Sequence, residues 1–219
     1  MDLVQPRSVL DVGCGLGTWL KAFEECGVKD FKGVDGAYVN KTLLRIPQER
    51  FYAHDLTQAM DLGRKFDLVM TLEVAEHLEK ELADQFVKTL VGHGDLILFS
   101  AAVPGQGGQH HVNEAWLSQW VKIFSKHDFI LYDVLRPKIW NNNAIEVWYK
   151  QNIVMFCKRG HHLEERLKKE STPYIDIVHP DLFAFYREQA ERAAHYEQGK
   201  LGIQLAWKSL ISAVKEKFR

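Results

Sequence analysis

VLDVGCGLGTW, residues 9–19, joins an apolar run to three glycines at alternate positions and then to a helical pattern. The apolar half, within SVLDVG at 8–13, has the composition of a buried strand. Gly13, Gly15 and Gly17 let the backbone turn sharply and approach a ligand where any side chain would collide. A nucleotide-like ligand is expected at such a turn. The GxGxG spacing differs from the GxGxxG that seats a pyrophosphate on a helix N-terminus, and Asp11, two residues before Gly13, would repel phosphate. A positively charged ligand fits this turn better than a dinucleotide.

Working outward, short β-rich runs alternate with helical patterns through the first 160 residues. Strands are expected at 8–13, 31–35, 51–55, 66–72, 95–101, 129–135 and 152–158. Apolar residues at three- and four-residue spacing predict helices over 17–26, 37–45, 78–91 and 113–126, as crossovers that cover a mostly parallel sheet must be. The segment 136–151, RPKIWNNNAIEVWYKQ, has no clear period and is expected to be a functional loop. Beyond residue 160 two amphipathic helices, at 181–198 and 200–218, predict a C-terminal extension over 161–219, set against a core at 1–160. The first strand begins almost at once, so the chain is expected to be one domain of a longer polypeptide.

The bulk numbers narrow the function. The 219 residues are 46% hydrophobic and 26% charged, the composition of a globular chain. Twenty-eight basic against 29 acidic residues leave a net charge of -1, which argues against nucleic acid as a partner. The longest apolar runs are too short to span a bilayer, and MDLVQPRSV lacks a signal peptide's apolar stretch, so a cytoplasmic protein is expected. Cys14, Cys26 and Cys157 show no CxxC spacing and are expected to be thiols of a reducing compartment.

The second strand ends in Asp35, about 20 residues past the glycine turn, where a carboxylate can accept both hydrogen bonds of a ribose diol. The third ends in His54 and Asp55, beside the expected adenine. In order, LDVGCGLGTW, GVD, HDL and FDLVMTLEVAEHL resemble the class I S-adenosylmethionine-dependent methyltransferases over residues 7–158. The resemblance implies a Rossmann-like α/β fold, a seven-stranded sheet of order 3-2-1-4-5-7-6 with strand 7 antiparallel. It also implies the donor's contacts. Asp11, the turn from Gly13 through Cys14 and Gly15 to Gly17, and Trp19 would face the methionine part. Asp35 and Gly36 would meet the ribose and Asp55 and Leu56 the adenine, with Leu72 and Glu73 completing the site.

LEVAEHLE, residues 72–79, places Glu73, Glu76 and His77 at i, i+3 and i+4, on one face if residues 73–78 begin a helical turn. Carboxylates with imidazole and no thiolate suit magnesium or manganese, with a further ligand from His110 or His111 in GQGGQHHVNE, residues 105–114. The ExxEH spacing resembles the metal-binding motif of small-RNA terminal 2'-O-methyltransferases and of O-methyltransferases of ubiquinone synthesis. The alternative is an ordinary acidic first turn in which His77 packs or caps. Without metal, His77, His110 or His111 would act as a lone general base.

Trp140, Trp148 and Tyr149 beside Asn142, with Gln109 on the earlier loop, offer aromatic faces and amides that suit a sugar ring. PGQGGxxHVNE with the WY and QN pairs resembles methyltransferases that accompany polysaccharide and glycolipid assembly. A sugar O-methyltransferase, acting on a deoxyhexose such as rhamnose, is the first expectation. A methyltransferase of a small phenol or quinone precursor and a non-catalytic, donor-binding partner subunit are the alternatives.

Overall fold

The computed structural model describes residues 3–172 and 176–197, with Trp207 and Ile211 beyond them. Seven strands, β1 (Ser8–Val12), β2 (Asp30–Asp35), β3 (Phe51–Ala53), β4 (Leu68–Leu72), β5 (Leu96–Ser100), β6 (Phe129–Tyr132) and β7 (Val154–Lys158), form one sheet. Their order is β3-β2-β1-β4-β5-β7-β6, and β7 runs antiparallel to both neighbours. Every residue of β1 and β4 is buried. This is the reason their sequences are apolar without alternation, since both faces of a parallel sheet are covered.

The two faces show in the core. Leu10 and Val12 pack on one side with Phe86, Val87 and Leu90 of α2 (Ala83–His93) and Trp120 and Phe124 of α3 (Leu117–Ser125). Val9 points to the other side, with Leu20 of α1 (Thr18–Glu25), Met70 and Leu96. The Phe124 and Phe156 rings stack at 3.8 Å. Fully burying a side chain of this size contributes about 1.5–3 kcal/mol.

Strand order reverses at β1, which lies between β2 and β4. A crevice opens outside the carboxyl ends of strands at such a point. The loops after β1, β2 and β4 therefore converge on one place, and they carry the glycines, Asp35 and Glu73.

Several expectations are corrected. No α-helix forms over 37–45; the segment is a turn followed by one 3-10 turn, Lys41–Leu43, in which the Asn40 side chain accepts from the Thr42 amide at 3.0 Å. Leu44 then returns to extended backbone and the polypeptide enters Pro47, so the turn cannot propagate. The segment 136–151 is not a structureless loop but two short helices, α4 (Arg136–Ile139) and α5 (Val147–Asn152). Each is too brief to show a period, and the Asn142 side chain makes the turn between them by accepting from the Ala144 amide. A helix not foreseen, α6 (Glu164–Glu170), follows β7 and buries Leu167. The helix expected over 181–198 is α7, Pro180–Glu197, and that over 200–218 lies outside the described residues.

Compactness divides the chain into residues 1–177, which hold the sheet, and 178–219, which hold α7. Among the described residues no helix is long and apolar enough to cross a membrane.

Candidate active site

A cavity of about 860 Å³ lies at the switch point, lined by Gly13, Gly15, Asp35, Gly36, Tyr38, His54, Asp55, Leu56, Glu73, His77, Gln109 and His110 among others. The glycine turn is shaped by sterics. Gly13 has φ +84°, and a Cβ there would stand 2.3 Å from a Val74 methyl, so no L-residue fits on either ground. Gly17, also left-handed at φ +78°, opens α1 without a side-chain cap.

Three buried acidic side chains bear on this site, Asp35 lining the cavity and Asp11 and Glu76 not among its lining residues, and their surroundings differ. Asp35 is 5% exposed and fully engaged: Gly15 N donates to Oδ2 at 2.7 Å, while Gly36 N at 2.7 Å and the Tyr38 hydroxyl at 2.5 Å donate to Oδ1. Asp11, 2% exposed, leaves Oδ2 without a hydrogen-bond partner among the described residues. Burial, with the nearby Asp35 charge adding to it, pushes its carboxyl up to about 8. A buried carboxylate without a partner prefers its proton. The Cys14 thiol beside these two acids is likewise driven far above the ordinary thiol range, first by burial.

The third acid is Glu76, which is fully buried and has neither carboxylate oxygen hydrogen-bonded among the described residues. Burial, then the Glu73 charge, pushes it up to about 8. Ligand atoms of Glu76, His77 and His111 all lie within 4.8 Å of one another, and the two imidazoles meet edge to face at 4.9 Å. His77 Nδ1 lies 3.3 Å from the His110 carbonyl and His111 Nδ1 lies 3.0 Å from Glu114 Oε1. Both partners accept, so each Nδ1 carries a hydrogen. Glu114 also accepts from the amides of Gly105 and Gly107, which ties the glycine loop to His111.

Glu73 does not join this group. It sits at φ +55°, in the left-handed region, so residues 73–78 do not begin a continuous helical turn; only Ala75–His77 make a 3-10 turn. Its carboxylate turns to Gln106 Nε2 at 2.8 Å and Asn152 Nδ2 at 3.1 Å. Asn152 Nδ2 also reaches Gln106 Oε1 at 2.8 Å, closing a ring of three side chains from three separate segments.

The remaining expected residues divide. Asp55 lines the cavity but spends Oδ1 on the Thr57 amide and hydroxyl, and that amide holds its carboxyl below the usual range. Leu72 is buried beneath the site. Gln109 and His110 line the cavity, whereas Trp140, Asn142, Trp148 and Tyr149 do not. Trp19 meets Tyr149 edge to face at 5.4 Å. Burial first, and the charges of Glu73 and Asp11 to a smaller extent, raise the Tyr149 hydroxyl.

Sequence reasoning missed Tyr38, Gln106, Glu114 and Asn152. Gln106 and Glu114 stand within PGQGGxxHVNE and Asn152 within the QN pair, which gave them no individual role, and Tyr38 was marked only by following Asp35 by three residues.

Comparison with known proteins agrees with this geometry. Residues 2–138 match the model of a methyltransferase domain. The ubiquinone biosynthesis O-methyltransferase of Ruegeria sp. (strain TM1040) is 33% identical over 81 residues, covering 34% of this chain and 32% of that protein. The chain thus spans about a third of the length of that curated relative. Among solved structures, Streptomyces venezuelae DesVI superposes with a TM-score of 0.57 at 14% identity, over 71% of this chain and 85% of that one. The magnesium protoporphyrin IX methyltransferase ChlM of Synechocystis PCC 6803, with bound SAH, gives 0.53 at 19%, over 69% and 74%. At such identities the two structures establish the fold.

Proposed function

Because the chain belongs to the methyltransferase-domain family, we propose that it transfers a methyl group from S-adenosylmethionine to a hydroxyl oxygen, assisted by a divalent metal ion. The observation that carries this reading is the pairing, around one crevice, of two kinds of unsatisfied acid. Asp11 lies behind the glycine turn, and Glu76 lies beside two imidazoles.

On the donor side the residues fit. The left-handed glycine turn leaves room for a ligand, Asp35 supplies a carboxylate held by two backbone amides, and Asp11 offers a buried anion that lacks a partner. A cationic amino acid moiety with an attached nucleoside answers both acids: its ammonium neutralises Asp11, and its diol hydrogen-bonds Asp35. Leu56 and His54 supply the walls beside the base, and the Trp19–Tyr149 pair, which is not among the lining residues, would cover the methionine end. Cys14 and Gly36 serve as close-packed backbone, and Leu72 supports Glu73 from below.

On the acceptor side Glu76, His77 and His111 would hold a metal ion, since a fully buried carboxylate without a hydrogen-bond partner among the described residues and two imidazoles anchored through Nδ1 bring ligand atoms within 4.8 Å of one another. With one carboxylate and two imidazoles the set suits manganese better than magnesium. When bound, such an ion lowers the pKa of a coordinated hydroxyl. His110, at the cavity wall, is within the same loop to receive that proton, while Glu73 is fixed by Gln106 and Asn152 between the two halves.

The proposed acceptor is a sugar carrying neighbouring hydroxyls, as in a deoxyhexose such as rhamnose within a glycan; Gln109 in the cavity and the Trp19–Tyr149 pair beside it supply amide and aromatic contacts. Trp140, Asn142 and Trp148 belong to the same α4–α5 region and would meet the rest of a larger acceptor. A second reading, a phenolic or quinone-precursor acceptor, is favoured by the likeness to the ubiquinone-pathway enzyme. Turnover of S-adenosylmethionine over a panel of deoxyhexoses and catechols, with EDTA and with EDTA followed by Mn²⁺, tests the proposal. Metal-restored methylation of a sugar supports it, catechol methylation alone selects the second reading, and donor binding without turnover on any acceptor identifies a non-catalytic subunit.

A further inference from the structure

Tyr38 occupies an unusual place. Its side chain is 84% exposed, yet its hydroxyl donates at 2.5 Å to Oδ1 of the buried Asp35. The ring lies against Gly36, where a Cβ would come within 2.1 Å of the ring carbon Cε1. One exposed residue thus reaches over the backbone to close the acid end of the cavity that it lines.

Counting acceptor sites shows the conflict. Each carboxylate oxygen has about two lone-pair positions. Oδ2 receives Gly15 N and has one left, whereas Oδ1 receives both Gly36 N and the Tyr38 hydroxyl and has none. A ribose diol brings two hydroxyl donors. The backbone amides are fixed by the turns that place Asp35, so the only donor that can leave without unfolding a loop is the tyrosine.

We propose that Tyr38 is a latch on the donor site: its hydroxyl holds the place of one ribose hydroxyl in the empty enzyme and swings away before the donor's nucleoside can seat. The proposal rests on the reading that Asp35 receives the ribose. Opening exchanges one hydrogen bond to the carboxylate for another, so the latch costs affinity without blocking the site, and its return after the reaction favours release of the product. Gly36 is the companion feature, because any side chain there would lift the ring away from Asp35.

The test is binding of S-adenosylhomocysteine to wild type, Tyr38→Phe and Asp35→Ala, by calorimetry and by stopped-flow tryptophan fluorescence. Tyr38→Phe keeps the ring and is expected to bind about tenfold more tightly, or ~1.4 kcal/mol. Its observed association rate is expected to rise linearly with ligand where the wild-type rate reaches a plateau set by opening. If Tyr38→Phe binds no more tightly than wild type while Asp35→Ala has lost binding, the latch is refuted and the ribose assignment stands. If Asp35→Ala binds as well as wild type, the ribose assignment fails and the latch fails with it.

Discussion

Replacing Asp11 by Asn should make the protein more stable and unable to hold its donor. Asp11 is 2% exposed in the middle of the sheet, paired in register with Gly33 on one side and Met70 on the other, and its carboxyl is pushed up to about 8 by burial and then by Asp35. In the unfolded chain the same group titrates near the ordinary value of 3.8. Between those values the folded state holds a proton that the unfolded state has released, so unfolding is progressively favoured as pH rises. The group's contribution is intact below pH ~4, falls by about 1.4 kcal/mol per pH unit and levels off above pH ~8. Asparagine has no proton to lose. The stability gap between Asp11→Asn and wild type should therefore open from pH ~4 and reach at most about 4 kcal/mol at pH 7, while any constant penalty from the amide cancels in the pH dependence. Urea unfolding followed by tryptophan fluorescence at pH 5, 6, 7 and 8 measures the gap, and calorimetry with S-adenosylhomocysteine measures binding. In wild type, binding at pH 7 should also release close to one proton, as the ligand's ammonium demands the ionised acid. A gap that stays flat with pH, or donor affinity unchanged in the variant, would refute the reasoning.

Glu76→Gln should preserve donor affinity within about twofold and abolish any rise in melting temperature on adding Mn²⁺, read by thermal shift in EDTA-treated protein; a metal-induced rise equal to wild type would place the ion elsewhere. Gly13→Ala combines a left-handed φ of +84° with a 2.3 Å approach to Val74, and should cost 1–3 kcal/mol or more in urea unfolding together with most donor binding. The Asp133–Arg136 pair, 2.9 Å apart and 2% exposed on both sides, should make Asp133→Asn destabilising by about 3–5 kcal/mol, with the loss visible as a lower urea midpoint. Asn152→Ala removes one of the two amides that hold Glu73 and should lower turnover by tenfold or more with donor affinity little changed; equal losses in both would mean that Asn152 only supports the fold.

What could be read from the sequence depended on whether a residue's fate is set locally. The runs of β1 and β4 announce themselves because burial on two faces favours apolar residues without alternation, and Gly13, Gly15 and Gly17 because their left-handed dihedrals favour glycine. Asp35 was legible from its distance past the turn. The segment 37–45 misled, since Val39, Leu43 and Leu44 imitate a helical stripe, while Asn40 caps only one 3-10 turn before extended backbone resumes at Leu44. Glu73 misled for a deeper reason. Its left-handed backbone leaves no mark on residue type, and its partners Gln106 and Asn152 lie 33 and 79 positions away, so nothing local says that its carboxylate is held by two amides.

The different partners of Glu73 and Glu76 divide the acids of the crevice. Four carboxylates, three of them buried, gather around the loops after β1, β2 and β4, and the two given amide or hydroxyl donors, Asp35 and Glu73, are satisfied by the protein itself. Asp11 and Glu76 are left with orphaned oxygens. Burying such groups is unfavourable by a few kcal/mol each, a large share of the stability of a domain this size. In the proposed reading a cation would offset that penalty at each acid: an ammonium behind the glycine turn, a metal ion beside His77 and His111. If each ligand neutralises one of these acids, binding of either should lower the electrostatic repulsion that the other relieves, because Asp35 raises Asp11 and Glu73 raises Glu76 through their charges.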